Sequence, residues 1–391
     1  MSKKGRVLVA MSGGIDSSIA AVMLHEQGYA VVGITMKTWD YANSGGSKKE
    51  TGCCSLDSIN DARNVAVELG FPHLILDIRE EFGDYVINHF TTEYLSGRTP
   101  NPCVLCNTHI KWDALLKRAD KLNCDYIATG HYAKVRQEGT RYVISRGKDL
   151  NKDQSYALWG VSQVNLSRTL LPLGDLTKPA IREFARARGF KDLLSKSESY
   201  EICFVPDNNY RGFLKRRIEA LEEQVKGGEL VLEDGTVVGH HEGYPFYTVG
   251  QRKGLGIALG YPVYVTEIQA DRNRIVLGTF DELARNGMYV HKLNMVKYAD
   301  LNGQKLDTIT KVRYNDKGTP AVIEQEGGTM KVSFSKGVHA ITPGQAAVFY
   351  EVDDVIGGGW ISASFRKSYV KDSKSHLSNQ QTSQLVSQPV H

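Results

Sequence analysis

The sequence predicts an α/β protein: a parallel sheet covered by helices first, and a small antiparallel β-barrel at the end. Three observations carry this. Strand-like apolar runs alternate with segments of helical period through about the first half of the chain. A glycine-rich turn, Ser12-Gly13-Gly14-Ile15-Asp16-Ser17, joins the first apolar run to the first helical one. After about residue 284 the helical period gives way to short alternating runs between turn residues.

In chain order, Val7-Leu8-Val9-Ala10 has the length and composition of a buried strand, and Ile19-Ala20-Ala21-Val22-Met23-Leu24 follows as a helix. Ala30-Val31-Val32-Gly33-Ile34 reads as a second strand. Apolar residues at Ile59, Ala62, Val65, Ala66 and Leu69 keep a helical period. His73–Asp77 and Asp125–Thr129 are further strands, with helices expected over 84–95 and 108–122. In such a sheet the site lies at the carboxyl ends of the strands. Four features fall there: the loop at 12–17, Met36, the loop at 96–107, and Gly130-His131. Tyr210–Arg217 suggests a basic helix, and the stretch from Gly227 to Gly260 is glycine-rich with short alternating segments. The runs 321–324, 330–334 and 346–350 alternate as barrel strands do. From Lys367 the chain is rich in Ser, Gln and Lys, the composition of a disordered tail. The expected units are 1–206, a small central domain 207–283, the barrel 284–366, and the tail 367–391.

At 391 residues the chain is long enough for two or three domains, and 41% hydrophobic with 24% charged residues is a soluble globular composition. No apolar run reaches the length of a membrane span, and the N-terminus runs into the first strand without a signal-like region, so a cytoplasmic protein with no membrane partner is expected. A net charge of +4 permits a nucleic-acid partner without demanding one. Arg182, Arg186 and Arg188, and then Arg211, Lys215, Arg216 and Arg217, form clusters that read either as phosphate tracks or as solvated helix faces. Six cysteines, namely Cys53, Cys54, Cys103, Cys106, Cys124 and Cys203, are too few for a disulfide scaffold at this length.

A strand, a Gly-Gly turn and a helix start converge free backbone N–H groups and a positive dipole end on one spot, which makes an anion site. The hydroxyls of Ser12, Ser17 and Ser18 add donors. No Lys follows the glycines, so the loop is neither the G-x-x-x-x-G-K-[ST] loop of kinases and GTPases nor G-x-G-x-x-G.

The loop Gly97–Asn107 holds Cys103-Val104-Leu105-Cys106 between two prolines and a helix. A cysteine near a helix N-terminus has its thiolate favoured, and Cys106 is the better placed of the two. A structural thiol pair and a zinc half-site are the competing readings, but no second C-x-x-C or H-x(3–5)-H follows. Cys203, between apolar neighbours, reads from its surroundings as buried filler.

The loop S-G-G-I-D-S resembles the pyrophosphate loop (PP-loop) of ATP pyrophosphatases, which have an adenine-nucleotide alpha-hydrolase-like fold. M-S-G-G-I-D-S, N-P-C-V-L-C-N, G-H-Y-A, K-D-Q-S-Y, I-C-F, G-Q-R-K-G-L-G-I and P-G-Q together resemble the bacterial tRNA-uridine 2-sulfurtransferases, in that family's order. The resemblance runs from about residue 5 to about residue 365. It implies ATP-dependent 2-thiolation of the tRNA wobble uridine, with Mg²⁺ accompanying ATP, a sulfur-donor protein as partner, and a monomeric state. It implies further that Cys106 is the nucleophile and Cys203 the persulfide carrier, the two closing a transient disulfide. ATP contacts are implied at Ala10, Met11, Ser12, Gly13, Gly14, Ile15, Asp16, Ser17, Met36 and Gly130. Contacts to tRNA are implied at Asn101, Pro102, Cys103, His131, Lys152, Asp153, Gln154, Arg313, Tyr314 and Gln345. Some members of the family carry Asp where this chain has Cys103, an Asp considered as a general acid/base. The same departure keeps an iron–sulfur cluster on Cys103, Cys106 and Cys203 open as an alternative, alongside another PP-loop chemistry or a non-catalytic RNA-binding protein.

Overall fold

The computed structural model describes residues 4–39, 55–195, 202–205 and 207–366. Cys53, Cys54 and the expected tail from Lys367 lie outside the described residues.

The first sheet has five parallel strands, in the spatial order His73–Asp77, Ala30–Lys37, Arg6–Ala10, Tyr126–Ala128 and Thr169–Leu170. The strand after Arg6–Ala10 lies on one side of it and Tyr126–Ala128 on the other, with Val9 beside both Gly33 and Ala128. The direction of winding therefore reverses at Arg6–Ala10, and that reversal opens a crevice at its carboxyl end. Val7, Leu8 and Val9 are fully buried, consistent with a strand covered on both faces. The helix Ile15–Glu26 packs Ile19, Ala20, Ala21 and Val22 against one face, while Leu115, Leu116 and Ala119 of Asp113–Lys121 cover the other.

The second sheet has four strands, ordered Tyr264–Gln269, Arg274–Gly278, Gly228–Leu232 and Val237–His241. The third is the barrel. Ala284–Met295, Thr329–His339, Thr319–Glu326, Lys305–Lys311, Ala346–Glu351 and Asp354–Phe365 pair in that order, and Asp354–Phe365 returns to pair with Ala284–Met295. Closure leaves this ring without an edge. The α/β fold class, with parallel sheet first and antiparallel barrel last, is as the sequence predicts.

One pairing was not predicted. The hairpin Ala133–Glu138 and Arg141–Arg146 leaves the parallel-sheet region and joins the barrel sheet, with Ser145 opposite Asp354. Asp354 locks the joint: it accepts from Arg136 at 2.8 and 2.9 Å, from Ser145 at 2.7 Å and from Lys297 at 2.8 Å. The helix expected over 108–122 also begins earlier. Pro102–Leu105, a π-helical turn Cys106–Trp112 and Asp113–Lys121 follow without a break, capped by Asn101, whose side chain accepts from the Val104 N–H. Proline is tolerated at a first helical position because its missing N–H would be unpaired there anyway.

Candidate active site

The crevice is built first from missing atoms. Gly13 has φ +72°, and a Cβ on it would lie 2.1 Å from the Ser58 carbonyl oxygen. A Cβ on Gly130 would lie 2.7 Å from the Ser17 amide nitrogen and 2.8 Å from the Asp16 carbonyl carbon. Both neighbours are backbone and cannot swing aside. Glycine at 130 is what lets the fourth strand's end approach the first turn of the helix Ile15–Glu26.

That helix starts at Gly14 with no side chain capping it, so its first-turn N–H groups face the crevice uncovered. Ser17 Oγ accepts from the Ser12 N–H at 3.0 Å and lies 3.2 Å from Ser12 Oγ, which fixes the loop's curvature. Met11 is held behind it, its N–H donating to Ile34 and its carbonyl accepting from Thr35 Oγ1 at 2.8 Å. Ser18 Oγ is buried without a hydrogen-bond partner. A bare helix start, a glycine cradle and an orphaned hydroxyl are the donor set a phosphate group needs. Ala10 and Ile15 flank this cradle, and Met36 stands at the end of the neighbouring strand.

The loop's carboxylate is already engaged. Asp16 accepts from Lys178 Nζ at 2.8 and 2.7 Å and from the Tyr132 hydroxyl at 2.6 Å. It is therefore not a free metal ligand, and the arrangement does not fit a magnesium ion held by this side chain. Lys178 is the residue that sequence reasoning missed. It is the first residue of the helix Lys178–Ala187, capped by Thr177, and is 7% exposed. A signal was present: lysine in a first turn opposes the helix dipole, so it needs another reason to be there.

The two cysteines far apart in sequence come to one apolar cluster. Cys106, Cys203 and Met36 all pack against the cluster built around Phe82, Phe90, Phe204 and Phe213. Phe204 anchors the segment beside Cys203, meeting Phe82 and Phe90 edge-on at 5.8 and 5.1 Å between ring centres. Such pairs add about 0.5–1.5 kcal/mol each beyond area burial. Ile110, one turn beyond Cys106, belongs to the same cluster and turns the Cys106 face towards it. Both thiols are partly exposed and neither is in a disulfide. Cys106 lies in the second turn of its continuous helix rather than at its start, which removes the simple dipole argument for its reactivity. The π-helical turn that holds it is a geometry found frequently at functional sites. Among the described residues no three His, Cys, Asp or Glu side chains are placed to hold a metal ion.

Beside them lies a second group. Cys103 is exposed yet set among surrounding protein that pushes its thiol pKa up, with Lys111 pulling partly back. Burial holds His131 well below the ordinary imidazole value, with Lys111 adding to the effect. The neutral ring lies 5.5 Å from Trp112 and its Nδ1 is 2.6 Å from Thr129 Oγ1. The Tyr314 hydroxyl donates to the Asp153 carbonyl at 3.0 Å, and its own pKa is raised by burial, then by Asp153 and Cys103. Tyr314, Cys103, Asp153 and Lys152 thus share one neighbourhood. Asp153 is spent on structure, accepting from the Gly147 and Ser155 N–H groups and from Ser155 Oγ. Gln154 is clasped to the Tyr132 backbone in both directions. Arg313 is exposed next to Tyr314. Gln345 donates to the carbonyls of Thr99 and Pro100 at 3.1 and 3.0 Å, so the barrel holds the loop leading to Asn101, Pro102 and Cys103.

The basic clusters on the helices are largely neutralised within the chain. Arg186 pairs with Glu183, Arg188 with Glu26, Lys215 with Glu222, and Arg216 with Asp207. Among the described residues no helix is long and apolar enough to cross a membrane.

Comparison with known proteins agrees with this architecture. Residues 5–207 match the tRNA methyl transferase HUP domain, 211–279 the tRNA methyl transferase PRC-barrel domain, and 285–361 the aminomethyltransferase beta-barrel domain. A tRNA-specific 2-thiouridylase of Amoebophilus asiaticus is 82% identical over 94% of this chain and 98% of its own length. The 2-thiouridylase of Cytophaga hutchinsonii is 74% identical over 94% of this chain and all of its own, and that of Salinibacter ruber 61% over 92% and 95%. Identity of this order, across nearly the whole of both partners and all three matched regions, makes this chain a member of the tRNA-specific 2-thiouridylase family.

Proposed function

We propose that this enzyme replaces the C2 oxygen of the wobble uridine of tRNA by sulfur, using ATP to activate the oxygen and a persulfide on Cys203 as the sulfur source. The observation that supports the reading is that Cys106, Cys203 and Met36 all pack against one apolar cluster. Two thiols and a nucleotide-loop neighbour on one cluster are what an oxygen-to-sulfur exchange at an activated carbon requires.

A carbonyl oxygen is a poor leaving group, and transfer of AMP to it converts it into a good one. The glycine cradle at 12–14, the uncapped helix start and Ser18 Oγ hold the pyrophosphate that departs. Lys178, tied to Asp16, places a buried cation behind that loop without needing a metal there. Mg²⁺ arriving with ATP supplies charge neutralisation on the phosphates. The base enters beside Cys103, Asn101 and Tyr314, and extrusion of a loop base is the usual way proteins reach one. Cys106 thiolate attacks Sγ of the Cys203 persulfide, a Cys106–Cys203 bond forms, and hydrosulfide leaves to attack C2. AMP departs with the former carbonyl oxygen, and an external thiol reduces the disulfide for the next turnover. With Asp absent at 103, neutral His131 and the Cys103 thiol are the groups beside the base able to move a proton.

The test is nucleoside mass spectrometry after incubating unmodified tRNA with the enzyme, ATP, Mg²⁺ and a persulfide donor protein. 2-Thiouridine is expected from the native enzyme and none from Cys203→Ser or Cys106→Ser, while Cys203→Ser still releases pyrophosphate in a single turnover. Full thiolation by Cys203→Ser would overturn the sulfur route.

A further inference from the structure

Two cations, Arg146 and Lys311, stand close together at the joint between the 133–146 hairpin and the barrel. We propose that Arg146 and Lys311 form a seat for an RNA phosphate, gripping the backbone next to the base that enters beside Cys103. The proposal rests on the tRNA reading above and extends it to residues outside the motifs that suggested it.

Arg146 ends the strand Arg141–Arg146, and its guanidinium carbon lies 4.3 Å over the Tyr350 ring. Its Nε is buried with no acceptor. Lys311 ends the strand Lys305–Lys311 and is half-buried, with Nζ 5.9 Å from the centre of the Tyr156 ring. Burial pushes the Lys311 pKa down and nearby Arg146 adds to that, against an opposing pull from Asp153 and Asp316. Among the described residues neither side chain makes an ion pair.

The carboxylates that act on Lys311, Asp153 and Asp316, take their hydrogen bonds from other groups. Asp153 accepts from the Gly147 and Ser155 amides and the Ser155 hydroxyl; Asp316 accepts from the Val312 and Gly318 amides at 3.0 and 3.1 Å. By contrast Arg136, Lys297 and Arg168 all sit on acids within 3 Å. Holding two cations partly out of water with no acid in direct contact is costly, and an anion arriving from outside offsets that cost. Both sit on tyrosine rings, and exposed Tyr314 and Arg313 continue the strip towards Cys103. Tyr350 and Tyr156 are buried and support the two cations from below, while exposed Tyr314 supplies the aromatic face that proteins tracking a single strand set beside a cationic groove. The nucleotide loop has its own buried cation in Lys178, so ATP phosphates do not require this pair.

The experiment measures tRNA affinity against salt for native enzyme, Arg146→Gln, Lys311→Met, the double variant and Arg146→Lys. Each phosphate contact contributes about 0.7 to the slope of log K on log salt for single strands. Each neutral variant should flatten that slope by about 0.7 and the double by about 1.4, with KM for ATP unchanged and Arg146→Lys native-like. A folded double variant with the native slope overturns the proposal, as does a raised KM for ATP with the tRNA slope intact. If the double variant does not fold, Lys311→Met alone decides by the same slope criterion. Failure of the native enzyme to bind tRNA at all would overturn the functional reading instead.

Discussion

Replacing Gly130 by alanine tests whether the crevice works through close approach of two backbone segments. The added Cβ would stand 2.7 Å from the Ser17 nitrogen, 2.8 Å from the Asp16 carbonyl carbon and 3.0 Å from its oxygen. Ordinary contact begins near 3.4 Å, so the helix start must retreat by about 0.7 Å, and overpacking of this kind costs about 1–3 kcal/mol. The retreat falls on the N–H groups proposed to hold pyrophosphate. A displacement near 1 Å in a reacting geometry costs about 10²-fold in rate. We expect kcat for tRNA-dependent AMP release to fall between ~10- and ~100-fold, on the scale of that positional sensitivity.

The companion variant is Gly83→Ala. Gly83 has φ −58° and ψ −50°, and a Cβ there meets nothing within 4 Å. It should stabilise by about 0.5–1 kcal/mol through helix propensity and leave the kinetics untouched. Steady-state AMP release and guanidinium unfolding on both variants give the comparison. Native kcat and KM in a folded Gly130→Ala protein would refute the close-approach reasoning.

Lys178→Met removes the cation while keeping its packing; it should lower stability by about 1–3 kcal/mol, less than for a fully buried pair because Asp16 is 33% exposed, and sharply slow AMP release. Urea unfolding and pyrophosphate release measure the two effects. Asp354→Asn should destabilise the hairpin–barrel joint by about 1–3 kcal/mol at neutral pH, because Arg136 and Lys297 lose their shared carboxylate. The Arg136 hydrogen bond and then Lys297 and Ser145 hold the Asp354 pKa far below the usual range, against desolvation. A depressed carboxyl contributes stability that is complete above its unfolded pKa of about 3.9, and loses it as pH falls towards the folded value. The difference between native and Asp354→Asn unfolding free energies should therefore be constant from neutral pH down to about 5 and shrink below about 4.

What the sequence made legible was what is local. The strand, turn and helix over 6–26 follow from adjacent residues, because apolar length, two glycines and a helical period act within one short stretch. The barrel strands were readable for the same reason. The hairpin at 133–146 was not, since its pairing partner is Asp354–Phe365, and nothing near Ser145 names Asp354. The helix bearing Cys106 starts before the expected position 108 because the two prolines read as fixing a loop, whereas Asn101 caps a helix whose first residue is Pro102. Lys178 escaped notice because its partner, Asp16, lies on another helix.

The connection most distant in sequence also says what the barrel is for. Its residues 343–345 take the 98–100 loop from two sides: the Thr99 N–H donates to the Pro343 carbonyl, while the Gln345 amide donates back to Thr99 and Pro100. Gly344 sits between, where a Cβ would lie 2.9 Å from the Thr99 carbonyl oxygen and 3.0 Å from Arg98 Cβ. The Tyr156 hydroxyl donates to the Ala346 carbonyl, and Ser155 meets the Tyr350 hydroxyl at 3.1 Å. The segment carrying Asn101, Pro102 and Cys103 therefore takes its position from the barrel as well as from the parallel sheet. The phosphate cradle, by contrast, is complete within the sheet and its helices. On the proposed reading, one substrate's site is built by the sheet and its helices alone and the other's by sheet and barrel together. On the proposed reading, RNA seated against the barrel would act on the same loop that leads into Cys106.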